Sequence, residues 1–135
     1  SMINEVKRPL KDIKNGSFIY DLLYSNPDPE IDGFQKSFAN DDGDDDDLSF
    51  LMENKDCINF GSDTVDTFLN KNDFDLVCRS HQVVPDGYEF PFYPKPTTCT
   101  VFSSSNYCDF ENNAAMLSIN DKLNCNFQFI ISQEQ

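Results

Sequence analysis

Apolar and polar residues alternate along this chain in two different periods, which predict helices in the first half and strands in the second. The stretch "INEVKRPLKDIK" mixes charged residues with spaced apolar ones and predicts a short helix that is interrupted at Pro9. Asn15-Gly16 then predicts a turn. The apolar segment "SFIYDLLYS" follows, and it ends where Pro27 and Pro29 prevent a helix from continuing.

The clearest helical pattern lies in "SDTVDTFLNKN". Val65, Phe68 and Leu69 fall on one helical stripe, which is typical of an amphipathic helix that buries one face. Ser62 and Asp63 are the two candidates for its N-cap, because a side-chain oxygen at that position accepts a hydrogen bond from a free backbone N–H.

The remaining apolar segments predict strands. "DFDLVCRS" and "TTCTVF" have the pattern of strands with buried centres, and "AAMLSI" and "KLNCNFQFII" flank Asn120-Asp121, a signal for a two-residue hairpin turn. In the last segment apolar residues alternate with polar ones, so we expect one covered face; its apolar positions are Leu123, Cys125, Phe127, Phe129 and Ile131. The pattern predicts an α/β fold in which mostly antiparallel C-terminal strands pack against the helix from Ser62 to Asn70.

Charge changes the picture in one region. The net charge is -14, and the run "DDGDDDD" contributes six of the 24 acidic residues. Adjacent carboxylates cannot be buried unpaired, so residues 31–56 are predicted to be a solvated, flexible acidic insert, with 40–47 mobile. An EF-hand does not fit, because Phe38 and Ser49 would occupy the first and last positions of its calcium loop. A docking site for a basic partner is the functional alternative for the insert.

The overall charge and the cysteines limit the classes of partner and compartment. A chain this acidic repels phosphate backbones and anionic lipids, so we expect neither nucleic acid nor membrane as a partner. No apolar run approaches the roughly 20 residues of a membrane span.

The five cysteines are odd in number and form no CxxC pair, and the start shows no signal peptide. Reduced thiols in a cytoplasmic or nuclear protein are the expectation.

Polar residues follow two of the predicted strands, where ligand and catalytic groups often lie. The only histidine, His81, comes directly after "DLVCR", and the loop "SSSNY" follows "TTCTVF". Two strand ends with polar loops are able to form one site. The alternative is a partly buried packing histidine beside an ordinary serine-rich loop, and periodicity alone favours that alternative.

Three blocks in order resemble the C-terminal half of the phosphoprotein phosphatase family, the metal-dependent serine/threonine phosphatases with a calcineurin-like metallophosphoesterase fold. "DLLYSNP" is similar to the family's DLLWSDP, "CRSHQVVPDGYEF" to its RAHQ-V-x-DGYEF, and "TVFSSSNYCDFENNAAML" to its FSAPNYC block. "KLNCNFQFI" resembles the family's last strand. The resemblance implies that residues 1–135 are the C-terminal part of one catalytic domain, a portion of a sandwich of two sheets flanked by helices.

The resemblance also implies a chemistry. The family hydrolyses phosphoserine and phosphothreonine with a water activated by two divalent metal ions, which are manganese, iron or zinc. His81 matches the metal-binding histidine of the RAHQ block. Tyr107 and Cys108 match the loop that overhangs the cleft for substrates and inhibitors, and Arg79, Gln82 and Asn106 are interpreted as supporting residues. Phosphoprotein substrates and regulatory subunits are the implied partners of the intact parent.

Other parts of the family's site have no match in this sequence. The motifs GDxHG, GDxxDRG, GNHE and HGG, which carry the remaining ligands and the general acid, do not occur. We therefore expect a fragment with no catalytic residue of its own, no tight metal binding and a tendency to self-associate. Asn26 stands at the aspartate of DLLWSDP and Asn54 at a phosphate-binding arginine, so the alternative is a divergent or pseudo-phosphatase that binds proteins through its acidic insert.

Overall fold

The N-terminal segment is less helical than its pattern predicts. The computed structural model describes residues 2–36 and 57–131, and its first element is a 3-10 helix, Met2–Glu5. No helix continues toward residue 14, and Leu10 and Ile13 are both exposed. A short helix depends on burying an apolar face, and this segment buries none. The predicted turn at Asn15-Gly16 is present, and Ser17 N donates to Lys14 O over 3.1 Å.

The first helix and the first sheet follow directly. Helix α1 is Phe18–Tyr24, capped by Ser17 Oγ, which accepts a hydrogen bond from Tyr20 N. Strands β1 (Asn26–Pro27), β2 (Phe34–Lys36) and β3 (Ile58–Phe60) form a sheet in the order β1-β3-β2. The pair β1–β3 is parallel and β2–β3 is antiparallel.

The predicted acidic insert begins inside this sheet. Residues 34–36 pair with β3, and Gly61 N donates to Gly33 O over 2.9 Å, so residues 31–36 belong to the fold and not to a solvated segment. The aspartate run and Asn54 lie outside the described residues, as does the predicted mobility of 40–47.

Helix α2, Ser62–Asn72, packs its apolar face as the stripe predicts. Val65 and Leu69 are buried against Phe92. Phe60, Phe68 and Val77 surround this core. The predicted side-chain cap is wrong, because the N-cap is Gly61 and makes no side-chain bond. Asp63 instead accepts a hydrogen bond from Gly33 N through both carboxylate oxygens, at 2.9 and 3.1 Å, and this contact ties α2 to the segment before β2.

The second sheet contains β4 (Val77–Arg79), β5 (Tyr88–Glu89) and β6 (Thr98–Val101) in the order β4-β6-β5. The β4–β6 pair is parallel and β5–β6 is antiparallel. The central strand β6 is buried at Thr98, Cys99 and Thr100, as predicted. The predicted buried centre of β4 is wrong, because Cys78 is exposed at the sheet's edge.

A β-hairpin completes the described part of the chain. Strands β7 (Ala114–Ile119) and β8 (Cys125–Ile130) are antiparallel. The predicted two-residue turn is instead the five-residue loop 120–124, in which Asn120 N donates to Asn124 O and Asn120 Oδ1 accepts from two backbone N–H groups. The predicted covered face of β8 is covered only in part, since Phe127 is half-buried beside Tyr88 whereas Phe129 is 53% exposed.

The described residues thus form an α/β fold of small sheets and two short α-helices, with three of its five strand pairings antiparallel. Among these residues, no helix has the length and apolar character to cross a membrane.

Candidate active-site segment

Arg79 anchors the end of β4 by bonding to three other parts of the chain. Its Nη1 donates to Gln82 Oε1 over 2.6 Å and to Thr100 Oγ1 over 3.3 Å. Its Nη2 donates to Ser25 O and to Asn26 Oδ1, each over 3.1 Å. These bonds connect β4 to β6 and to the chain just after α1. The sequence resemblance named Arg79 and Gln82 as supporting residues, and the structure brings them into direct contact.

The acceptors around Arg79 are all neutral. Burial lowers the pKa of Arg79 to about 10, and the neighbouring Cys57 thiol acts weakly in the opposite direction. The guanidinium therefore stays charged at neutral pH. Within the described residues the salt bridge present is Lys95–Asp66, so Arg79 has no carboxylate partner there.

His81 lies two residues beyond Arg79, at a bend of the backbone. Its φ of 86° falls in the left-handed region, which residues other than glycine rarely adopt. The ring meets Tyr24 of α1 edge to face, with centroids 4.9 Å apart. Burial lowers the pKa of His81, and the positive charge of Arg79 lowers it further. Both effects favour the neutral imidazole at pH 7, the form whose ring nitrogen binds a metal ion.

The loop after β6 is held from inside by a buried asparagine. Asn112 Oδ1 accepts a hydrogen bond from Tyr107 N over 2.9 Å, and its Nδ2 donates to Ser104 O and Asn113 O over 2.7 and 2.8 Å. Its carbonyl accepts from Asn106 N over 2.9 Å. The side chain is 2% exposed, so these bonds are shielded from water. We call residues 103–112 the loop of Asn112.

The tip of this loop presents the residues that the resemblance assigned to a cleft. Tyr107–Asp109 forms a 3-10 turn, and Tyr107 and Cys108 are exposed. Four residues of the loop have positive φ angles between 49° and 64°: Asn106, Cys108, Asp109 and Glu111. Such backbone persists only where surrounding bonds impose it, and the Asn112 bonds do so here.

The two polar segments meet at the turn that follows His81. Phe102 N donates to Gly87 O, and Asn113 N donates to Pro85 O, each over 2.8 Å. The segment after His81 and the loop of Asn112 are therefore joined at residues 85–87, and their forming one site stays a prediction. Periodicity did not identify Asn112 or Thr100 as part of this arrangement, because their role depends on burial, which a single sequence does not reveal.

A metal centre requires several donors, and the described residues do not assemble one. No group of three or more His, Cys, Asp or Glu side chains in ranges 2–36 and 57–131 is arranged to hold an ion. His81 is thus a single candidate donor, which does not fit a dinuclear centre by itself.

Comparison with solved structures places this fold beside a protein phosphatase. A serine/threonine phosphatase from Saccharomyces cerevisiae, described as similar to human phosphatase PP5, superimposes with a TM-score of 0.63 at 26% sequence identity. The match covers 96% of this chain but 37% of that chain. No protein-family model matches. The chain therefore has the fold of a phosphatase's C-terminal portion, and it spans much less than that protein's length.

Proposed function

We propose that this chain is the C-terminal part of the catalytic domain of a metal-dependent serine/threonine protein phosphatase that hydrolyses phosphoserine and phosphothreonine. The observation that carries the proposal is the fold match over 96% of the chain, combined with a histidine that follows a strand whose end Arg79 fixes. The motif blocks around His81 and Tyr107 point to the same class.

In this proposal His81 supplies one imidazole ligand, and the rest of the parent protein supplies the others. The metal pair, when bound, supplies an activated water and neutralises charge on the phosphoryl group. Neighbouring residues of this chain set the position and the charge of the His81 imidazole. Arg79 holds the strand end, the left-handed bend turns the backbone at His81, and burial beside a cation keeps its imidazole neutral.

The loop of Asn112 would form one wall of the cleft. Its exposed Tyr107 and Cys108 would contact the phosphoprotein or an inhibitor, while the buried Asn112 bonds keep the loop in one conformation. A preformed loop lowers the entropy cost of binding a substrate.

The decisive experiment is His81→Ala in the complete polypeptide that contains this chain, assayed on a phosphoserine peptide. We expect turnover to fall by roughly 100-fold or more, because even partners of a metal ligand contribute 10- to 100-fold. Lys122→Ala, on the exposed hairpin loop, is the control and should keep full activity. A variant that melts earlier but retains its activity per folded molecule would show that His81 only packs.

The 135-residue chain by itself should be inactive. One imidazole gives a single-ligand site, so calorimetry should detect only loose binding of manganese or zinc. Tight binding, or hydrolysis of a chromogenic phosphate ester by the purified chain, would contradict this part of the proposal.

Asn26 favours a second candidate, a divergent phosphatase that acts as a protein-binding module. A neutral amide bonds to Arg79 where the family resemblance implies an aspartate. This candidate predicts a complete polypeptide that lacks turnover with added manganese yet binds a basic protein partner. Normal turnover with the native Asn26 would eliminate it.

A further inference from the structure

Three of the five cysteines lie between the second sheet and the hairpin. Cys78 of β4 and Cys99 of β6 are partners across the parallel strand pair, so their side chains share one face of the sheet. Val101 is two residues beyond Cys99, and Tyr88 is its partner on β5. Cys78, Cys99 and Tyr88 therefore all lie on this face, opposite the face that carries Val77 and the α2 core.

The hairpin covers the same face. Cys125, Phe127 and Phe129 alternate on one side of β8. The rings of Phe127 and Phe129 lie 4.5 and 5.5 Å from that of Tyr88, centroid to centroid. The side of β8 that carries Cys125 thus faces the side of the sheet that carries Cys78.

The pKa shifts of the thiols agree with this arrangement. Burial raises the pKa of Cys78, and Cys125 raises it further. Burial also raises the pKa of Cys99 to about 11, with additional contributions from Cys78 and Cys125. Accessibility separates the three, because Cys99 is completely buried whereas Cys78 and Cys125 are exposed.

We propose that Cys78 and Cys125 are an oxidation site, and that a hydroperoxide converts them into a disulfide linking β4 to β8. Both thiols are exposed, so an oxidant in solution reaches each of them. Cys99 remains reduced because reagents do not reach it.

The reaction balances with hydrogen peroxide as oxidant. The Cys125 sulfur, as thiolate, attacks one peroxide oxygen, the O–O bond breaks, and the released hydroxide takes up the thiol proton as water. Cys78 sulfur then attacks the sulfenic acid of Cys125, and a second water leaves as the S–S bond forms. The two sulfurs together lose two electrons, and the peroxide gains them. The raised pKa of Cys78 disfavours its thiolate, so the first attack is assigned to Cys125, and in the second step the Cys78 proton leaves with the sulfenic hydroxyl as water.

The disulfide would fasten the hairpin to the sheet. In the described structure the hairpin is attached by the Tyr88 and Phe90 ring contacts and by two bonds, from Ala115 N to Phe102 O over 2.9 Å and from Ser103 Oγ to Ala115 O over 2.8 Å. A covalent link closes a loop that contains β5, β6 and β7, which restricts the unfolded chain and stabilises the folded one.

The test treats the reduced 135-residue chain with stoichiometric hydrogen peroxide, blocks free thiols with an alkylating reagent, and maps peptides by mass spectrometry. We expect a peptide pair joined through Cys78 and Cys125, a loss of two hydrogens from the intact mass, and a rise in melting temperature that dithiothreitol reverses. Cys99 should carry the alkyl group after unfolding.

Matched variants separate this pair from general thiol reactivity. Cys108→Ser removes another exposed thiol and should leave the link intact, whereas Cys125→Ser should abolish it. Any of three results in the unsubstituted chain would overturn the proposal: no link, a link between another pair of cysteines, or a disulfide between two chains.

Discussion

At the residue scale, burial affects Arg79 and His81 alike but leaves them with different charges at neutral pH. Burial lowers the pKa of each, to about 10 for Arg79. Arg79 keeps its charge and organises the surrounding backbone through four hydrogen bonds. That charge in turn helps to keep the imidazole neutral, which is the state a ligand requires.

The titration of His81 is directly measurable, because it is the only imidazole in the chain. In metal-free buffer, NMR should give a midpoint below the ordinary value of 6.5. Between the two pKa values the unfolded state binds more protons than the folded state, so stability rises with pH through this window and is lost as pH falls from about 6.5. His81→Gln should lack this component in thermal melts. A midpoint at or above 6.5 would contradict the assigned burial.

Asn26→Asp should stabilise the protein. The carboxylate would replace a neutral acceptor of Arg79 with a charged one, for which we expect a gain of about 1 kcal/mol in urea unfolding, since such bonds are stronger than neutral ones. The new charge would offset that of Arg79 and raise the pKa of His81. Asn126→Asp, exposed on β8, is the control and should change neither quantity. No gain in stability would show that Arg79 is already adequately solvated.

At the element scale, the turn before β5 and the strand β7 approach each other closely. Gly87 has a φ of 77°, and its carbonyl accepts the bond from Phe102 N. A Cβ on Gly87 would lie 2.5 Å from both Ala114 C and Ala115 N, which are backbone atoms with little freedom to move. This contact sets the position of the loop of Asn112 relative to the segment that carries His81.

Gly87→Ala should therefore lower the free energy of unfolding by more than the strain of its positive φ angle alone. Gly16 is the matched control, because its φ of 68° is similar and a Cβ there meets nothing within 4 Å. We expect Gly16→Ala to cost about 1 kcal/mol and Gly87→Ala about 3 kcal/mol in urea unfolding, the difference arising from the backbone clash. Equal costs would mean that β7 shifts freely.

Asn112→Ala should loosen the loop without unfolding the sheets. Three backbone groups would lose their partner on the buried Asn112 side chain, which costs about 1–3 kcal/mol. Hydrogen exchange at Tyr107 N should accelerate, while exchange within β6 should change little. Asn126→Ala, whose side chain is exposed, serves as the control. Unchanged protection at Tyr107 would show that the loop is held by other contacts.

At the scale of the whole molecule, apolar exposure and negative charge oppose each other. Within the described residues several large apolar side chains of the hairpin region are exposed, namely Met116, Ile119, Leu123, Phe129, Ile130 and Ile131. Such surfaces favour association, whereas a net charge of -14 keeps copies apart. Added salt screens the charge repulsion and should therefore favour association.

We expect the purified chain to self-associate, more so as salt screens its charge, with a scattering mass that rises with concentration. Ile130→Thr should weaken the effect, because it removes an apolar side chain that is 65% exposed while keeping a β-branched residue. Gln128→Thr, two positions earlier on the same side of β8, is the matched control. A strictly monomeric chain under all these conditions would refute the prediction.

Local pattern was sufficient where the determining interactions were local. The stripe of Val65, Phe68 and Leu69 predicted α2, and the buried strand β6 was recognised from its run of apolar and β-branched residues. The fold class was also predicted correctly. The N-cap of α2 was not, because Asp63 bonds to Gly33, thirty residues earlier in the sequence, and no local pattern encodes that choice.

By itself the sequence determined the fold class, the place of α2 and β6, and which residues resemble a phosphatase site. Tertiary structure alone decided that Asn112 is buried, that Phe127 and Phe129 of β8 contact Tyr88, and that Ile130 is exposed. The reason is that periodicity reports which side of an element is apolar, whereas burial and neighbours depend on what the rest of the chain places against that side.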